Sequence, residues 1–296
     1  MKKAPQTFSH LDKVFWPREK YTKGDLIAYY RKVSKFILPY LKERPSVLNR
    51  FPDGIRGIHF FQKNVAGQKV PRFVKTITIR AKTTGKPVRY IVCNNEQTLL
   101  YLANLGCIEV HPWNSRVGKL GKPDYMILDL DPGARVPFNA VVKVAQETHA
   151  LLNALGVPNF CKTSGKKGLH VYVPLKAQYP YDRVREFADR IARAVHERAP
   201  DLTSLAHWPA KRKNKIHIDI MRNAIGQTAA APYSLRPVPG ASVSTPLRWS
   251  EVRAGLRPEM FTIKTIFPRL QKKGDLWKPV LGRGVDLERA ARKLRS

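Results

Sequence analysis

Two aspartates stand two positions apart at the close of an apolar run, Asp129 and Asp131 in YMILDLDPG. Strand side chains alternate between faces, so Tyr125, Ile127, Asp129 and Asp131 share one side while Met126, Leu128 and Leu130 take the other. The Cα atoms of such an acid pair lie roughly 6–7 Å apart. Carboxylates so placed repel, and one is driven towards its neutral form unless a cation sits between them. A hard divalent ion, manganese or magnesium, meets that need with oxygen ligands alone. On these two residues alone, a strand ending in water, with Asp131-Pro132-Gly133 starting a turn, is an equal reading. A second stretch, KIHIDIM, shifts the balance: Ile216, Ile218 and Ile220 point one way, His217 and Asp219 the other. Three carboxylates from two strands are the donor set of a two-ion phosphoryl- or nucleotidyl-transfer site.

Between these acids in the chain runs TSGKKGLHVYVPL. Its glycines let backbone N–H groups approach an anion, while Ser164 and Lys166 or Lys167 add a donor and charge. The spacing fails a Walker A loop, and no helix follows. In GLHVYVP, Leu169, Val171 and Val173 share a face and leave His170 with Tyr172 on the other. A lone strand histidine is more often a packed structural side chain, but behind an anion-binding loop both readings stand.

Composition supplies the partner. The 296 residues suffice for one large domain or two modest ones, and they carry 54 Lys and Arg against 22 Asp and Glu, a formal net charge of +32. Such an excess calls for a polyanion, and nucleic acid is favoured because basic residues run along the whole chain and alternate with aromatics. The same charge serves no purpose towards a neutral sugar, which weighs against a glycosidase-like carboxylate pair. No apolar run reaches the roughly 18 residues of a membrane span. No basic amphipathic helix suggests a membrane surface, and MKKAPQTFSHLDKVFWP lacks the apolar stretch of a signal peptide. Cys93, Cys107 and Cys161 are scattered without a CxxC pair, which argues against zinc and disulfides and fits buried thiols in a reducing cytoplasm.

The elements that must position these groups follow from periodicity. Leu26, Tyr30, Val33 and Ile37 predict a helix over residues 22–41 with Thr22 as N-cap, closed by turn chemistry at Pro45 and then Pro52-Asp53-Gly54. Strands TITIR and VRYIV are joined by a basic turn, KTTGKP, and a short helix over 96–106 leads to the strand CIEVHPW. A helix over 138–155 ends at Gly156; another spans 183–198; residues 232–246 read as loop, and the tail from Leu287 as a basic helix. Strands and helices mix without βαβ alternation, which predicts an α+β fold with a mainly antiparallel sheet carrying the acids. No linker or repeat divides the sequence, so one catalytic unit over 1–296 is expected, with 1–60 as an N-terminal elaboration.

Taken together and in order, LDKVFWP, TKGDLIAYY, RFPDG, FFQKN, LLYLANLGCIEVHPW, DLDP, TSGKKGLHVYVPL, HIDIMRN, APYSLR and FTIKTIFPRL resemble the polymerase domain of bacterial DNA ligase D, of the archaeo-eukaryotic primase superfamily. The resemblance covers nearly the whole chain. It implies a primase-polymerase fold and template-directed nucleotide addition at DNA ends, gaps and short overhangs during non-homologous end joining, with ribonucleotides preferred and Ku and a DNA ligase as partners. It also implies two divalent ions, manganese or magnesium, held by Asp129, Asp131 and Asp219. By the same match Ser164, Lys167 and His170 hold the nucleotide's phosphates, Arg212 and Arg236 bind the nucleotide, and His111 lines its pocket. Phe60 and Phe61 match aromatics that stack near the templating base, though ordinary core packing is expected of one of them. Lys13 and Lys23 match lysines that grip the 5′-phosphate of the downstream strand, with Arg50 as a neighbour. One departure stands out: where the family has Arg-x-Arg after APYS, the run here is Leu235-Arg236-Pro237-Val238, and valine pairs with no phosphate. Two other classes remain open. The missing cysteine cluster speaks against a replicative-type primase making RNA primers de novo. The three retained acids speak against a non-catalytic module that binds DNA ends.

Overall fold

The computed structural model describes residues 7–81, 84–206 and 208–294, so Lys82 and Thr83 of the KTTGKP turn and the first six residues lie outside the described part. Contacts divide the chain into two units, Met1–Trp113 with Thr228–Ser242, and Asn114–Gln227 with Val243–Ser296. Within the first unit, the described residues 7–60 pack together with the strands that follow them.

In the first unit, β1 (Val14–Trp16) and β2 (Tyr21–Thr22) pair as a short hairpin that runs straight into helix α1 (Lys23–Leu41). Thr22 fixes the helix start: its hydroxyl accepts from the Asp25 N–H at 3.2 Å, and its own N–H donates to the Asp25 carboxylate at 2.7 Å. Leu26, Tyr30, Val33 and Ile37 bury as one face. Next come β3 (Pro45–Arg50), β4 (Phe60–Gln62), β5 (Lys75–Arg80), β6 (Pro87–Val92), helix α2 (Glu96–Asn104) and β7 (Cys107–Pro112). Pro45, read as a turn residue, instead opens a strand; at the first strand position its missing N–H is tolerated. One edge of β3 pairs along its length with β7, and the other is shared by β4 and β6, with β5 beyond β6.

The second unit contains β8 (Tyr125–Pro132), α3 (Phe138–Ala154), β9 (Phe160–Thr163), β10 (Leu169–Pro174), α4 (Tyr181–Arg198), β11 (Thr203–Ser204), β12 (Ile216–Asp219), β13 (Pro246–Leu247), α5 (Ile266–Lys273) and α6 (Leu287–Lys293). Its sheet runs β11-β12-β8-β10-β9-β13, and only the β11–β12 pair is parallel. The fold is α+β, as the irregular alternation predicts. Met126, Leu128 and Leu130 of β8, Leu169, Val171 and Val173 of β10, and Ile216 and Ile218 of β12 face a core that α3 and α4 complete with Val141, Val144, Val184 and Ile191. Each such side chain contributes about 1.5–3 kcal/mol by leaving water, so the apolar face is firmly committed and the other face is left to polar groups. Cys93, Cys107 and Cys161 are buried free thiols. Among the described residues no helix is long and apolar enough to cross a membrane.

Glu251 ties the last third of the second unit together. Arg269 on α5 meets its two carboxylate oxygens at 2.6 and 2.7 Å, and Lys273 donates at 2.5 Å. Burial alone would raise this carboxyl; the hydrogen bonds from Arg269 and Lys273 hold it down to about 2. Its contribution to stability is therefore complete above the ordinary glutamate range and fades as pH falls from about 4.5 towards 2. Glu251→Gln should lower stability by about 1.5–3 kcal/mol at neutral pH, and denaturant titrations of both proteins should converge as the pH approaches 2.

Candidate active site

The polar face of the second sheet carries a registered row of ionisable side chains. Lys162 on β9 lies opposite His170 on β10, His170 opposite Asp129 on β8, and Asp129 opposite Asp219 on β12. Directly opposed residues in antiparallel strands have Cα atoms about 4.5–5.5 Å apart, so four strands place two acids, a histidine and a lysine side by side. One row along, His217 lies opposite Asp131. All three sequence-predicted acids therefore share one surface. It is the face that alternation requires once Leu128, Leu130, Val171 and Ile218 are committed to the core.

Cations divide unequally among the acids. Asp129 is buried, and burial by itself would raise its carboxyl. His170 Nε2, donating at 3.2 Å, and Arg222 Nε at 3.2 Å overcome that and hold it well below the usual carboxylate range. Asp131 is pushed up by burial and by the charge on Asp129, a shift that Arg212, 3.5 Å away, only partly offsets. Arg222 also lies 3.5 Å from Asp219, so one guanidinium spans the two facing acids. The donor set, three carboxylates on one face, suits a hard divalent ion. Among the described residues, however, no group of three His, Cys, Asp or Glu is drawn together as a finished metal site. Arg222 stands between two of the carboxylates instead.

The Ser-Gly-Lys-Lys-Gly loop, Ser164 to Gly168, joins β9 to β10. Ser164 N–H donates to the Gly168 carbonyl at 2.9 Å, and the Ser164 hydroxyl accepts from the N–H groups of Lys166 at 3.2 Å and Gly168 at 3.0 Å. Ser164 is thus the buried brace of the loop, while Lys166 and Lys167 are exposed. Gly168 has no room for a side chain, because a Cβ would stand 2.4 Å from the Leu130 carbonyl oxygen on the acid strand. A second close approach occurs at Gly133 in the DPG turn. There a Cβ would meet the Asn214 side-chain oxygen at 2.7 Å and its Cα at 2.9 Å, and Gly133 N–H donates to the Lys215 carbonyl at 3.1 Å. This anchors the KRKNK segment, with Lys213 and Asn214 in the left-handed region, and so sets Arg212 beside Asp131.

The remaining candidates belong to the first unit. Lys13 and Lys23 flank the β1–β2 hairpin, joined through the Lys23 N–H to the Lys13 carbonyl at 2.8 Å. Lys13 is exposed and pairs with Asp53. Lys23 is only 6% exposed, donates to the Ser9 carbonyl at 2.7 Å, and has its pKa lowered by burial and then by the charge of Lys13. Arg50 gives its guanidinium to the Leu105 carbonyl and to Gln62, each at 2.9 Å, and lies over the Phe60 ring. Phe60 and Phe61 are 41% and 58% exposed, so neither is a core residue and the expectation of core packing for one of them fails. His111 and Arg236 share one buried carboxylate, Glu109, at 3.1 and 3.0 Å, with Asn49 donating to it at 2.7 Å. Val238 lies in a turn: its N–H reaches the Arg236 carbonyl at 2.9 Å and its carbonyl accepts from Trp16 Nε1 at 3.0 Å.

Three residues escaped the sequence reading. Glu109 sits two positions before His111 on β7, so strand alternation alone puts it on the same face. Lys162 is a lysine inside a short apolar strand, fully buried with Nζ donating to Ser244 at 2.6 Å. Arg222 follows Asp219 by three residues, but β12 stops at Asp219 and no strand periodicity reaches it.

The sheet, its acid face and the Gly-Lys loop belong to an α+β fold whose family comparison with known proteins identifies. The model of the LigD primase-polymerase domain matches residues 22–277, and the chain belongs to that family. Its relatives include the bifunctional non-homologous end joining protein LigD of Bacillus subtilis, 35% identical over 268 residues that make up 90% of this chain and 43% of that protein. The multifunctional non-homologous end joining protein LigD of Pseudomonas aeruginosa is 32% identical over 287 residues, 96% of this chain and 34% of that protein. The chain therefore spans less than half the length of these relatives. The polymerase domain of Mycobacterium tuberculosis ligase D, solved in complex with DNA, is similar with a TM-score of 0.85 and 27% identity, over 95% of this chain and 99% of that one.

Gly168→Ala tests the close approach of loop and acid strand. The added methyl should cost about 1–3 kcal/mol, read as a lowered denaturation midpoint. An alanine variant as stable as the parent would show that the loop does not need its seat against Leu130.

Proposed function

We propose that this chain is a template-directed nucleotidyltransferase that extends primer 3′-hydroxyls at DNA ends, gaps and short overhangs in non-homologous end joining. The observation that carries the reading is the register placing Asp219 opposite Asp129 with Asp131 on the same face. Asp129, Asp131 and Asp219 would hold two divalent ions, manganese or magnesium, which when bound supply Lewis-acid stabilisation of phosphoryl charge and a more acidic primer hydroxyl.

The chain's own residues do the rest by binding and orienting. His170 donates to Asp129 Oδ1 at 3.2 Å and so fixes the carboxylate's orientation. The Ser164–Gly168 loop is held in shape by the Lys166 and Gly168 N–H groups donating to the Ser164 hydroxyl, and from it exposed Lys167 offers a point charge to a triphosphate. Arg212 lies at the Asp131 end of the same face. His111 and Arg236 are assigned to the nucleotide on the family match, and their shared carboxylate supports the assignment by keeping both side chains in one orientation. Exposed Phe60 and Phe61 suit base stacking, worth about 1–3 kcal/mol per base. Lys13 and Lys23 suit a 5′-phosphate, whose negative charge would offset the burial and mutual repulsion that depress Lys23. Arg50, engaged with Leu105 and Gln62, serves that surface by shaping it. Preference for ribonucleotides, and work alongside Ku and a DNA ligase, come with the family. The M. tuberculosis domain's complex with DNA supports a DNA substrate here, as does the charge of +32.

Incorporation of a labelled nucleotide into a gapped duplex with manganese tests the reading. Asp129→Asn should reduce incorporation by at least about 10²–10³-fold while DNA binding, followed by fluorescence anisotropy, stays near wild type. An active Asp129→Asn protein would remove the acid face from the chemistry. Lys23→Ala should lose, by about tenfold, the preference for a gap carrying a 5′-phosphate. Equal weakening on phosphorylated and unphosphorylated gaps would remove Lys23 from that role.

A further inference from the structure

Arg222 lies in the 3-10 turn Met221–Asn223 that follows β12. Its backbone is fixed from two sides. Asn114 donates to the Arg222 carbonyl at 2.8 Å. The Asn223 side chain accepts from the Ile127 N–H at 2.8 Å and donates to the Ile127 carbonyl at 2.7 Å, continuing on β8 the pairing that β12 gives up. From this base the guanidinium turns back between Asp129 and Asp219, at 3.2 and 3.5 Å. A monovalent side chain thus occupies the gap that two facing carboxylates offer to a divalent ion.

We propose that Arg222 is a built-in counter-ion. It holds Asp129 and Asp219 together while no metal is bound, and it must be released from them before a divalent ion can enter. The proposal rests on the reading of the acids as metal ligands. Guanidinium and ion compete for the same oxygens, and their like charges oppose joint occupancy. The arginine therefore weakens binding of the ion on its own. Once displaced, its charge remains on a partly buried side chain beside the acids, where a polyphosphate is the anion that satisfies it. Metal and nucleoside triphosphate are in this way linked: each favours the other, by the same factor in both directions. Arg222 acts through the acids as a positioning residue, and its fixed backbone lets the side chain leave and return to one place.

Calorimetric titration of the full chain with manganese, alone and with a non-hydrolysable nucleoside triphosphate, free ion being corrected for chelation, tests this. Arg222→Gln should bind manganese alone about tenfold more tightly than wild type, and the triphosphate should then tighten it far less than it tightens wild type. Arg222→Lys keeps the charge but cannot span both acids, so it should fall between the two. In EDTA, Arg222→Gln should melt below wild type, and manganese should restore it. Unchanged manganese affinity or unchanged linkage in both Arg222 variants overturns the proposal, and if Arg222→Gln does not fold, Arg222→Lys decides alone. Asp129→Asn separates the two levels. If it abolishes manganese binding while the Arg222 variants behave as wild type, only the counter-ion role falls. If it leaves manganese binding intact, the metal reading falls as well.

Discussion

Negative side chains crowded onto one face of a well-packed sheet must be compensated, and the second unit is arranged around that need. Three carboxylates lie within two strands, and the apolar face behind them leaves no freedom to turn them elsewhere. Compensation is local and unequal. Asp129 gathers His170 and Arg222, so it stays ionised despite burial, while at Asp131 burial and the repulsion of Asp129 outweigh Arg212, 3.5 Å away, and the more remote His217 and Arg222. The acids of this face therefore differ in how completely their charge is balanced.

The first unit solves a related problem with the signs reversed. Lys23 is pulled out of water next to another lysine, which leaves it short of negative charge. Glu109 plays the opposite part, as one buried carboxylate that orders His111, Arg236 and Asn49 around itself. Exposed aromatic rings on β4 add flat apolar surface beside the Arg50 guanidinium.

Much of this was legible in the amino-acid order because strand alternation is a strict rule. It put Asp129, Asp131, Asp219 and His170 each opposite the apolar residues of its own strand without any structure, the register then joining them, and the helix over 22–41 was set by Thr22 and its apolar spacing. Periodicity fails where the chain turns. Arg222 enters the acid face from a 3-10 turn, and Arg212 is aimed by left-handed residues locked against Gly133. Pro45 misled for a different reason: proline marks turns on average, yet the opening residue of a strand accepts it too. The division into two units left no trace in composition, because the first unit takes back residues 228–242 from far along the chain.

The row Lys162, His170, Asp129, Asp219 also constrains how such a chain can change over time. Each member comes from a different strand, so adding or losing a single residue inside β10, β8 or β12 would send that member into the packed interior and bring an isoleucine, valine or leucine out in its place, and on β9 it would exchange Lys162 for Cys161 or Thr163. A change of length in a connecting segment leaves this register untouched, whereas one inside any of the four strands does not.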